Sequence, residues 1–146
     1  MTPTLLGRWQ TRLLLMGTVG ALLTVCFAEG LWGNPVGAVY WAVWGYITVF
    51  GLGWDCLYIY LQNYRWDQDW PAILQWLAAL WEGIFFLLLW AGLPNFAGVA
   101  LPLTADLSLT WFVIHYGSVW LGIFVVSQSL MRILFPLWRF HGGRWF

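Results

Sequence analysis

Four stretches of this sequence are each apolar for long enough to cross a bilayer, and that limits the fold more than any other feature. A helix rises about 1.5 Å per residue, so about 20 apolar residues cover the hydrocarbon core. The runs extend from about Arg12 to Ala28, Val36 to Leu61, Pro71 to Leu93 and Leu107 to Met131. Lipid offers backbone groups no hydrogen-bond partner, so each run predicts a helix that satisfies its own N–H and C=O groups. The breaks are rich in turn formers: "EGLWGNP" (29–35), "RWDQDWP" (65–71) and the longer "LPNFAGVALPLTADLS" (93–108). The expected fold is an all-α integral membrane protein, a single four-transmembrane-helix bundle over residues 1–146.

Composition agrees. The chain is 62% hydrophobic and 8% charged, against about a quarter charged in a soluble domain. Net charge is zero and the six arginines are scattered, which excludes a nucleic-acid surface. There is no lysine, which excludes Schiff-base chemistry and a Walker-type phosphate loop. Cys26 and Cys56 fall on different runs and read as buried free thiols.

Arginine placement predicts orientation. Arg8 and Arg12 precede the first run, Arg65 lies between the second and third, and Arg132, Arg139 and Arg144 follow the fourth. All fall on one side, which the positive-inside rule makes cytoplasmic, with both termini there. The expected location is the plasma (inner) membrane or an internal membrane such as a thylakoid. A basic start and the "FAEG" stretch also suit a cleaved leader. The small residues Gly17, Gly20, Ala21, Thr24 and Ala28 favour a retained, packed helix instead.

Polar and small residues recur on one face of each remaining run. The second carries Trp44, Thr48, Gly51, Asp55, Tyr58 and Gln62 at steps of four and three. The fourth carries His115, Ser118, Ser129 and Arg132, and the third Gln75 and Glu82. These faces should turn inward, because lipid exposure of such groups is costly. Helical rise places Asp55 toward the cytoplasmic side, Glu82 near the midplane and His115 farther out. The expected pairings are Asp55 with Arg132, Tyr58 and Gln62, and Glu82 with His115 unless Glu82 is neutral.

Trp9, Trp32, Trp41, Trp66, Trp70, Trp111, Trp138 and Trp145 fall near the predicted interfaces. Trp44, Trp54, Trp81 and Trp120 fall deeper, as core packing or as walls of a ligand site. In the 65–71 loop, Asp67 and Asp69 form an acid-x-acid pair of the kind that binds Mg²⁺. The plainer expectation is that Asp67 pairs with Arg65 and Asp69 caps the third helix, with Pro71 in its first turn. The tail "WRFHGGRWF" (138–146) should lie on the membrane surface or dock on a partner.

A buried polar network that holds the helices in register is one reading of these residues. The leading functional expectation is a non-enzymatic accessory or assembly subunit of a larger membrane complex. It would meet the lipid bilayer and other subunits or copies of itself, with lipid or pigment in the polar-lined core. A proton or small-solute pathway through Asp55, Glu82 and His115 is the alternative, and acid–base chemistry on a lipid or isoprenoid a third. No cofactor is predicted. A haem or pigment metal would have only His115 as a membrane histidine to hold it.

Overall fold

The computed structural model describes residues 3–32, 37–90, 107–138 and 140–144, and among these it is helical with no strand. The 93–106 part of the long loop, the expected last turn of the third run, Val36, Arg139 and Trp145 lie outside the described residues. Among the described residues, four helices are long and apolar enough to cross a membrane. They are α1 (Leu5–Ala28), α2 (Gly37–Gln62), α3 (Ala72–Trp90) and α4 (Leu109–Gln128), the last followed by a short α5 (Leu130–Leu134). At 26 residues, α2 is about 39 Å long, and α3, at 19 residues, about 28 Å.

The first helix begins seven residues earlier than the apolar run suggests. Thr4 caps it by accepting from the Gly7 N–H. Arg8 and Arg12 are therefore inside the helix, not in front of it. A wide π turn at Met16–Gly20 comes next, in which the Ala21 N–H reaches the Met16 carbonyl. The Trp44 indole N–H donates to that same carbonyl at 3.0 Å. Such a turn inserts a residue and re-aims the rest of the helix. Here it keeps Arg12 above the turn and Gly20, Thr24 and Phe27 below it on the inner side, while Gly17 faces open space.

The main core draws most of its residues from α1, α2 and α4, among them Met16, Phe27, Tyr40, Val43, Phe112 and Val119, and α3 adds Phe86. The α3 backbone stands farther off than those of the other helices. Long side chains bridge the gap: Tyr116 donates to the Ala79 carbonyl at 2.6 Å, and Trp76 meets Trp120 edge to face. Gly83 makes the Tyr116 contact feasible, since a Cβ there would press on the ring.

On α4 the inner face is Phe112, His115, Val119 and Ser127. This corrects the expected face beyond His115. Ser129 and Arg132 are exposed and Ser118 is half-buried. The helix breaks at Ser129 (φ −114°, ψ −83°), so the repeat does not continue through it. Cys56 is also exposed, not buried, while Cys26 is half-buried.

The first and last described segments meet. The Thr4 N–H donates to the Gly142 carbonyl at 2.8 Å, and the Thr11 hydroxyl to the Gly143 carbonyl at 3.1 Å. Trp138, 7% exposed, donates its indole N–H to Thr11 Oγ1. The tail thus docks on α1 of its own chain. Gly142 and Gly143 take positive φ, which favours glycine, and a methyl at Gly7 would overlap the Gly142 carbonyl.

Candidate functional site: an arginine-bridged cavity between the helices

Arg12 is the centre of the polar interior. Its Nε and Nη2 donate to the two oxygens of Asp55 at 2.8 and 3.1 Å. Its Nη1 and Nη2 donate to the two oxygens of Glu82 at 3.2 and 3.0 Å. One planar guanidinium therefore grips two carboxylates side-on and ties α1 to both α2 and α3. The carboxylate side chains are 5% and 6% exposed, so the pairing offsets a desolvation cost of several kcal/mol per ion, on the order given for buried charges. Gly51 makes room: a Cβ there would overlap the Arg12 guanidinium.

These contacts correct the expected pairings. Asp55 is held by Arg12, not Arg132, which instead donates from α5 to Gln128 at the end of α4. Glu82 is held by Arg12, with the Tyr58 hydroxyl 3.1 Å from its Oε1, and not by His115. Tyr58 therefore serves Glu82, not Asp55. Gln62 accepts from Arg8 Nη2 at 3.3 Å and donates to the Gln68 carbonyl at 2.8 Å. Thr48 bonds only within its helix, to the Trp44 carbonyl, among the described residues. Gln75 meets Ser127 and Gln128 across the α3–α4 gap.

His115 belongs to a separate cluster. It is 0% exposed, with its Nε2 3.1 Å from Thr24 Oγ1. The Thr24 hydroxyl gives its own proton to the Gly20 carbonyl at 2.8 Å, so it accepts from the ring and the His115 proton sits on Nε2. Phe27 and Tyr40 enclose the ring at centroid distances of 5.1 and 5.0 Å. A tetrapyrrole on His115 would have to displace both. The Asp55, Glu82 and His115 column is thus two sites: an ion cluster on Arg12 and an aromatic-walled histidine.

A cavity of about 420 Å³ opens beside the ion cluster. Arg8, Arg12, Asp55, Asp69, Glu82 and Arg132 are its ionic lining. Leu15, Met16, Ile47, Val119 and Ile123 form an apolar wall, and Tyr58, Trp70, Trp120 and Trp138 supply ring faces. Arg8 lies 4.2 Å from the Trp70 ring. Of the deeper tryptophans, Trp120 lines the cavity, Trp44 packs on Gly20, and Trp81 is exposed. Trp138 and Thr11 both line the cavity, so the docked tail forms part of its wall.

In the 65–71 loop, Arg65 grips Asp67 at 3.0 and 2.9 Å, which holds the Asp67 carboxyl below its usual range. The loop thus holds Asp67 in an ion pair, and the third helix begins at Ala72, with the Leu74 N–H bonded to the Pro71 carbonyl. No cluster of three or more metal-ligating side chains occurs among the described residues. Comparison of the chain with protein-family models, curated proteins and solved structures finds no match.

Proposed function

We propose that the chain is a four-span membrane protein that holds an amphipathic molecule in this cavity and acts as a non-catalytic accessory subunit of a membrane assembly. Both ends lie on the cytoplasmic side, where Arg65, Arg132, Arg139 and Arg144 then flank the helices, with Arg8 and Arg12 in the first turns of α1 on that side. Large apolar side chains are exposed on all four long helices, among them Leu22, Val49, Ile73 and Val125. Water would penalise such a surface and lipid accepts it. The short stretches between spans leave little soluble surface for independent work, and the lateral faces suit partner subunits.

The observation that carries the binding role is the composition of the cavity wall: ionic groups on one part, aliphatic and aromatic groups on the rest. Ligand sites combine a mostly apolar lining with a few placed polar groups, at volumes of about 300–1,000 Å³. A relay is less well supported, because both carboxylates are locked on Arg12 and His115 sits apart with Thr24. A lipid-modifying enzyme would need an activated group at the cavity. Its carboxylates are already engaged, and the hydroxyl of Ser129 donates to its own helix.

Purification in mild detergent followed by native mass spectrometry tests the reading. The expected result is one lipid-sized adduct per chain that survives activation, alongside partner subunits. A chain that emerges alone and bare from every mild detergent contradicts it.

A further inference from the structure

We propose that the cavity takes a zwitterionic phospholipid, with Arg8 as the residue that binds its phosphate. The proposal rests on the amphiphile-binding reading above and narrows it to a headgroup.

Arg8 and Arg12 are one turn apart on α1 and both line the cavity, yet they are used differently. Arg12 has its donors on two carboxylates. Arg8 donates from Nη2 to the neutral amide oxygen of Gln62, and its Nε has no hydrogen-bond partner. Its guanidinium carbon lies over the Trp70 ring, 4.2 Å from the centroid, and 5.9 Å from that of Tyr58. The guanidinium is planar with its donors in a fork, and one that carries no carboxylate among the described residues keeps donors that can receive a phosphate by two parallel bonds.

Charge balance then selects the ligand. Arg8, Arg12 and Arg132 face Asp55, Asp69 and Glu82 around the same cavity, so the lining is neutral as it stands. An anion without its own cation would leave an uncompensated charge in a weakly solvated interior, which is costly. A zwitterion brings its own counter-ion. The apolar wall of Leu15, Met16, Ile47, Val119 and Ile123 gives the root of an acyl chain a surface to follow. Phosphate is the shared chemistry of a membrane lipid and a soluble phosphate ester, and the chain-binding wall favours the lipid.

The test uses the full chain in nanodiscs of phosphatidylcholine or of phosphatidylglycerol, ejected into a mass spectrometer, with inorganic phosphate as a soluble competitor. The expected result is one retained phosphatidylcholine, a phosphatidylglycerol adduct weaker by about tenfold or more, and no competition by phosphate. Arg8→Gln should weaken phosphatidylcholine retention about ten- to a hundredfold, the loss of a charge-assisted bond. Arg132→Gln should weaken it less.

Equal or stronger retention of phosphatidylglycerol overturns the zwitterion assignment. Competition by inorganic phosphate overturns the lipid source. A bare chain in both lipids overturns the amphiphile reading itself. In case Arg8→Gln does not fold, ¹⁵N–³¹P dipolar recoupling on the guanidinium-labelled wild-type chain in phosphatidylcholine gives a separate readout. A contact should appear and should persist when Arg65, Arg132, Arg139 and Arg144 are all replaced by glutamine, since Arg12 has its donors on carboxylates. No contact, or none left after those four replacements, overturns the role of Arg8.

Discussion

Arg12 and Asp55 are joined by two parallel hydrogen bonds, 2.8 and 3.1 Å long, that link the first span to the second. The same guanidinium makes an equivalent pair with Glu82 on the third span. Removing the cation leaves two buried carboxylates facing each other. Arg12→Gln is therefore expected to cost about 3–5 kcal/mol of stability, the range for breaking a buried pair. Asp55→Asn should cost less, because Arg12 keeps Glu82. Arg12→Met combined with Asp55→Leu and Glu82→Leu should recover much of the loss. Denaturant unfolding in detergent, followed by circular dichroism, measures all three.

The Arg12 bridge passes over Gly51, which is buried, while Gly53 on the same helix faces open space. Gly51→Ala should displace the guanidinium and destabilise the protein by about 1–3 kcal/mol, as overpacking does. Gly53→Ala should leave the melting temperature unchanged or raise it slightly. The contrast between two glycines two residues apart separates a packing requirement from helix propensity.

The tail rests on Gly7 and on two hydrogen bonds through Thr11. Gly7→Val should lift residues 138–144 from the first helix without unfolding the bundle. Spin labels at Leu6→Cys and Phe140→Cys, in a background lacking Cys26 and Cys56, should give a narrow distance distribution in the parent. The distribution should be longer and broader in Gly7→Val. An unchanged distribution would show that the tail is held elsewhere.

Thr24 is the acceptor for the His115 ring proton. Thr24→Val should cost about 1 kcal/mol, the scale of a neutral hydrogen bond in a buried or membrane setting. In a His115→Leu background the same Thr24→Val change should cost less, because no donor is left stranded. A double-mutant cycle on unfolding free energies measures the coupling.

The four long apolar helices were legible because the constraint is simple: apolar runs of that length would have to be helical in lipid. The inner face of α2 was legible in its C-terminal half, where Gly51, Asp55, Tyr58 and Gln62 are buried; in the other half Val43 and Ile47 are the buried residues, and the expected Trp44 and Thr48 are half-buried. The pairing partners were not. Arg12 sits at the edge of its apolar run and reads as a boundary residue, although it stands at helical spacing above Met16, Gly20 and Thr24. Two carboxylates on apolar helices called for a cation, and both Arg12 and Arg132 stood at the ends of apolar runs, so spacing alone did not choose between them. The fourth span misled for a different reason. A regular repeat was extended through Ser129, where the backbone leaves the helix. The tail's docking site depends on the close approach of Gly7 to Gly142, a contact between distant chain positions that no local pattern announces.

A high-resolution structure of the protein in nanodiscs of native lipid tests the central claim most directly. The expected result is Arg12 bridging Asp55 and Glu82, with elongated lipid density entering the cavity beside Arg8 and Trp70. A cavity closed by α3 packing directly on α1 and α4, with Arg12 released from either carboxylate, would contradict it.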